Sequence, residues 1–210
     1  MGNIGTWVGG AGPDGPCLLV YHERQRASLC GLHAVNNLLQ RWAFTERDLY
    51  RIARRLDRAE KDLLVHRKRN AVLHAVTGGR AGYKMERHAN HSGWGDFSIQ
   101  VLELALRPFG VQLVLPGNPD FGDPWGFVVN SNDHWAACRQ IGDSAIWVSV
   151  DSTLTRPQLM SVDDVTRLMT AKPSRARTVF HVVGDVPPSP TKNGRRIVQM
   201  SLRTDALHNQ

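Results

Sequence analysis

Cysteine is scarce in this chain. Cys17, Cys30 and Cys138 are the three present, an odd number with no CxxC pair. A disulfide scaffold or a structural zinc site needs more thiols at closer spacing, so neither organises the fold, and a reducing, cytoplasmic compartment is expected. Long apolar runs are also missing. Nothing approaches the roughly 18 consecutive apolar residues of a membrane-spanning helix. The opening MGNIGTWVGGAGPDGPC has no basic segment leading into an apolar core, so it does not read as a secretory signal. Met-Gly followed by Thr6 fits the short myristoylation pattern in form alone. No stretch repeats, and none is low in complexity. Aromatics are 7% of the chain, and they do not interleave with the basic residues as nucleic-acid binders require, so no nucleic-acid partner is expected.

What is present is an ordinary globular composition of 210 residues, 41% hydrophobic and 21% charged. One catalytic-sized domain over 18–203 is expected, between a flexible Gly-rich leader (1–17) and a short tail (204–210), acting as a monomer. The formal charge is +7, and the segment 46–87 alone carries 12 Lys/Arg against 6 Asp/Glu. Arg47, Arg51, Arg54, Arg55 and Arg58 recur at helical spacing around Leu49, Ile52, Ala53 and Leu56. That pattern reads as a solvated helix face in preference to a docking surface for an acidic partner.

In chain order, 18–23 reads as a short extended run and Leu29–Leu39 as an amphipathic helix capped by Ser28. Thr45 and Asp48 form a capping box for a second helix to about Leu56, with a separate helix over 59–76. A long loop, 77–95, precedes a helix over 97–109 that Gly110 stops. From there the spacing predicts strands over 111–116, 126–132, 134–141, 145–152 and 177–185, with a hairpin turn at Gly142-Asp143. Ser161 and Asp164 open a helix to about Thr170, and a last helix is expected over 195–202. Helices first and antiparallel strands afterwards make an α+β fold.

The chemistry gathers on Cys30. A cysteine in the first turn of a helix feels the positive end of the dipole, which favours thiolate. Gln25, five residues upstream, can bring an amide donor to the same point as an oxyanion-hole group. His134 opens one strand and Asp151 ends the next. A tight turn at Gly142-Asp143 would set these two opposite each other, so that the carboxylate orients the imidazole and leaves one nitrogen for the thiol. A buried core cysteine is the plain competitor, and the presence of both partners argues against it. His33 is expected to pack or hydrogen-bond along the helix rather than to catalyse. His22 and His91 match no zinc-ligand spacing with Cys30, and Cys138 reads as core. Asn36-Asn37 reads as a polar pair satisfying buried backbone. Trp94 and Phe97 suit either the core or a substrate groove.

HERQ followed by SLCGLHAVNNLLQ, then GDFSIQVLELAL, DHWAACR and VDST, resembles the Josephin domain of ubiquitin-specific cysteine proteases, with the blocks in the family's order over about 18–202. The resemblance implies a papain-like fold and cleavage of isopeptide bonds at the C-terminus of ubiquitin or polyubiquitin. It makes Cys30 the nucleophile, His134 the general base, Asp151 the third member and Gln25 the oxyanion donor, with no cofactor and no metal. Residues 57–95 correspond to the helical arm of longer members but are more basic. Ubiquitin's arginine-bearing face does not call for a basic arm, so linkage preference does not carry over. The tail holds no glutamine-rich or ubiquitin-interacting segment. Two other functions fit the same blocks: a ubiquitin-binding module without catalysis, or a hydrolase of a ubiquitin-like modifier. A eukaryotic protein and a bacterial effector acting in host cytosol are both compatible with the composition.

Overall fold

The alternation of apolar and polar residues in the second half of the chain, and the 3.6-residue period in the first, separate the molecule into a sheet and the helices packed on it. The structure is a computed structural model that describes residues 17–76, 90, 96–117, 121–142, 145–174, 176–188, 190 and 196–201. Its elements are β1 (Cys17–Tyr21), α1 (Cys30–Leu38), α2 (Glu46–Val76), α3 (Ile99–Leu106) continued by a 3₁₀ turn (Arg107–Phe109), and β2 (Val111–Val114). There follow β3 (Gly126–Ser131), β4 (His134–Gln140), β5 (Trp147–Ser149), β6 (Gln158–Leu159), α4 (Val162–Met169), β7 (Arg177–Gly184) and β8 (Ile197–Ser201). Six strands form an antiparallel sheet in the order β2-β7-β3-β4-β5-β6, while β1 and β8 pair with each other. This is the α+β arrangement expected.

Successive residues of β3 face opposite sides. Val128, with Ala137 and Val182 of the neighbouring strands, joins a large core filled by Val35 and Leu38 of α1, Leu49 of α2, and Leu102 and Leu106 of α3. Phe127 and Val129 join a smaller core with Cys138, Val179 and Leu168 of α4. Gly31 lets α1 approach the sheet closely, since a Cβ there would stand 3.3 Å from Leu102 and 3.4 Å from the Trp135 ring.

Arg139 is fully buried in β4. Its guanidinium donates to the carbonyls of Leu38 at 2.7 Å, Gln140 at 3.1 Å and Pro187 at 3.2 Å, and lies 5.4 Å from the Trp125 ring centroid. The Leu38 carbonyl is at the negative end of α1, where a cation is favoured. Burial pushes the Arg139 pKa down to about 10, which leaves it charged at neutral pH.

Several sequence expectations are corrected. Glu46–Val76 is one helix, not two, because Asp57-Arg58-Ala59 contains neither Pro nor Gly to stop it. Arg47, Arg51, Arg54, Arg55 and Arg58 are exposed along it, as the solvated face requires, and so is Leu63. Ser28 does not cap α1: Ala27 takes φ 50°, Ser28 is exposed, and Leu29 is the N-cap residue without a side-chain cap bond. Residues 197–201 form a strand, not a helix, because Val198 and Met200 alternate against β1 and gain a paired backbone. Cys17, assigned to the leader, already lies in β1 and is buried. The two-residue strand β6 was not anticipated. The rest of the leader, His91, Trp94, Asp143 and the tail lie outside the described residues, as does most of the 77–95 loop. Capping at Ser161 by Asp164 is present as expected, and at Thr45 the Asp48 carboxylate accepts both the backbone N–H and the hydroxyl.

Candidate active site

Cys30 is the first residue of α1 and is 3% exposed. With no side-chain cap at Leu29, the first-turn N–H groups of α1 point at the same space as the thiol. Burial pushes the Cys30 thiol up, and the backbone N–H groups of Trp135, Gly31 and Cys30 itself oppose that without overcoming it. The thiol donates a long contact, 4.0 Å, to the carbonyl of Asp133. Asp133 and Asn132 take φ 62° and 49°, the left-handed pair of a two-residue hairpin between β3 and β4. This turn delivers both the Asp133 carbonyl and His134, the next residue, to the N-terminus of α1.

His134 Nε2 lies 2.8 Å from Asp151 Oδ1. Donation through Nε2 leaves Nδ1 as the unprotonated nitrogen, the one able to take a proton. The pair forms although the register differs from the expected one. Cys138 pairs with Ser149 and Gln140 with Trp147, and Ile141 N–H closes the hairpin on the Ile146 carbonyl, so the connection holds four residues rather than two. Asp151 therefore lies past the end of β5 and reaches His134 by its side chain, while Oδ1 also accepts from the Thr153 N–H at 2.9 Å. A cleft of about 450 Å³ opens beside the pair, bordered by Cys138, Ser149, Leu168 and Arg177.

Gln25 is placed by its backbone, whose N–H donates to the Ser152 carbonyl at 2.8 Å. Its side chain is turned onto its own loop, with Nε2 donating to the Ala27 carbonyl at 3.0 Å and Oε1 accepting from Ser152 Oγ at 3.3 Å. The structure thus brings His134 and Asp151 into contact and sets Cys30 against the turn that carries His134. The Gln25 amide engages neither of them.

Beneath these residues lies a network that sequence reasoning missed. Glu23, 2% exposed, accepts from His33 Nδ1 at 2.7 Å, from Asn36 Nδ2 at 3.2 Å, and from Tyr21 Oη and Arg196 Nη1. Burial alone would raise its carboxyl; bonds from His33, Tyr21 and Asn36 and the Arg196 charge outweigh burial and hold it below the usual range. Asn37 binds both the Glu23 backbone and the Val150 carbonyl, at 2.9 Å, tying α1 to the strand end before Asp151. His22 Nε2 donates to the Asp151 carbonyl at 3.0 Å. Asn36-Asn37 in an otherwise apolar helix was the one visible signal. His33 packs into this network as expected, with Nδ1 on Glu23 and Nε2 accepting the Arg26 N–H at 3.3 Å. Among the described residues no group of three His, Cys, Asp or Glu could hold a metal, and no helix is long and apolar enough to cross a membrane.

Residues 25–183, which contain Gln25, Cys30, His134 and Asp151, match the Josephin family model. The chain is 31% identical over 196 residues to ataxin-3 of Homo sapiens, covering 90% of this chain and 51% of the human protein. It is 32% identical over 178 residues to the ataxin-3 homolog of Arabidopsis thaliana (80% and 60%) and 30% identical over 183 residues to that of Caenorhabditis briggsae (84% and 52%). These relatives are animal and plant proteins and lend no support to a bacterial origin, and the chain spans about half the length of the human one. With most of its described fold and the His134–Asp151 pair inside the match, the chain belongs to the Josephin family.

Proposed function

We propose that this protein is a thiol-dependent deubiquitinase that hydrolyses isopeptide bonds at the C-terminal glycine of ubiquitin. Membership of the Josephin family supports cysteine-protease action on ubiquitin conjugates. The observation that carries the assignment of roles is the 2.8 Å His134–Asp151 bond at the strand end next to the N-terminus of the Cys30 helix.

In this reading His134 Nδ1 takes the proton of Cys30, and Asp151 stabilises the imidazolium that results. Burial holds the thiol up, so in this reading the proton has to be taken by His134. The thiolate attacks the glycine carbonyl. Backbone N–H groups at the uncapped end of α1 receive the oxyanion, and Gln25 joins them after its amide leaves the Ala27 carbonyl; each such donor is typically worth about 3 kcal/mol. His134 returns the proton to the departing lysine amine, and water then releases ubiquitin from the thioester.

The direct test is reaction with ubiquitin carrying a C-terminal thiol-reactive group, beside Cys30→Ala. A covalent adduct on the parent protein that is absent from Cys30→Ala is the expected outcome. A folded protein that forms no adduct would sink the reading. An adduct only with a ubiquitin-like modifier would move the substrate class and keep the chemistry.

A further inference from the structure

Beside the 22–28 loop is a second cavity, about 300 Å³, that the proposed catalysis does not use. Its walls are Arg24, Arg26, His22 and His33, with Thr155, and Arg196 closes it above the apolar Ile197 and Val198 of β8. Three arginines thus line it from two segments far apart in the chain, and no Asp or Glu is among the lining residues. Glu23, next in sequence to Arg24, is buried and already accepts from Arg196, His33, Tyr21 and Asn36. The histidines are committed: His33 binds Glu23 through Nδ1 and accepts the Arg26 N–H through Nε2, and His22 Nε2 binds the Asp151 carbonyl. Arg24 and Arg26 are exposed and form no ion pair among the described residues.

We propose that this cavity binds a phosphoryl group. Two unpaired guanidinium charges balance a dianion, and planar forks of N–H donors match the oxygens of a phosphate bidentately. Arg196, which keeps its bond to Glu23, and Thr155 stand on the same lining. Such an occupant would bridge the loop that carries Gln25 to the first residues of β8. The phosphoryl group is either free or borne by a protein substrate, and binding experiments separate the two.

Titration calorimetry of the full chain with inorganic phosphate, and with a phosphoserine peptide and its unphosphorylated form, tests this at ionic strength matched with chloride. Saturable binding of phosphate or phosphopeptide is expected, weakened about tenfold by either Arg24→Ala or Arg26→Ala and further by both. Arg26→Lys keeps the charge without the fork and should fall between Arg26→Ala and the parent. Equal affinity for phosphate and phosphopeptide assigns a free anion, and a tighter phosphopeptide assigns a protein-borne group. No saturable signal beyond chloride, an unphosphorylated peptide that binds as tightly, or a double variant that binds like the parent would each overturn the proposal. Both arginines are on the surface, and matched melting curves without phosphate confirm that the variants fold. The readout needs no turnover, so its failure leaves the hydrolase reading untouched, and the reverse.

Discussion

At the scale of single residues, Cys30 and Glu23 are both buried and titratable, and their surroundings push them opposite ways. Cys30 has burial against it and only backbone N–H groups in its favour, so its thiol stays above the ordinary range. Alkylation of Cys30 by iodoacetamide, followed site by site, should therefore climb with pH with a midpoint above the ~8.5 of a free cysteine. A plateau at lower pH would mean that the thiolate–imidazolium pair exists before substrate arrives. Glu23 has four donors, and its carboxyl is held down. A carboxyl depressed in the folded state contributes stability above its unfolded pKa, and that contribution is lost as pH falls through the folded value. Glu23→Gln should cost about 3 kcal/mol at pH 7, measured by urea denaturation, and the gap from the parent should narrow in acid.

At the scale of elements, α1 is fixed at both ends, by the β3–β4 turn at Cys30 and by Arg139 under the Leu38 carbonyl. Lysine has no fork to reach the Leu38, Gln140 and Pro187 carbonyls together, so Arg139→Lys should lower stability by roughly 2 kcal/mol and slow labelling of Cys30. Unchanged labelling with lowered stability would show that α1 is positioned without it. The elements also show what a sequence can disclose. Cys30, His134 and Asp151 were legible because each sits at the boundary of a strongly patterned run. The His134–Asp151 contact followed for a reason other than the ladder pairing proposed for it, since side-chain reach absorbs a register shift of two residues. Gly142-Asp143 looked like the tight turn, whereas among the described residues the two-residue turn is Asn132-Asp133, whose composition gave no stronger signal. Residues 197–201 were misread because five residues hold too little pattern to separate period 2 from period 3.6. Their strand character comes from β1, about 180 positions away, which no local window contains.

At the scale of the whole molecule, that β1–β8 pairing joins Cys17 to Ser201 and Tyr21 to Ile197, and Glu23 and Arg196 lock it at the inner end. The strand β1 leads directly into the 22–28 loop, so the placement of Gln25 and of the network under Cys30 depends on residues near 200. A chain ending at Val186 keeps Cys30, His134 and Asp151 in its sequence but loses β8 and Arg196. It should fail to react with the ubiquitin probe, or react at least about tenfold more slowly, since the buried Glu23 carboxylate is left without Arg196 and β1 without its partner strand. During synthesis the same dependence acts as a timer. The proposed nucleophile leaves the ribosome early, but its supporting network closes only when β8 has emerged from the exit tunnel. A nascent chain would thus carry Cys30 without its supporting network until the residues near 200 have been made.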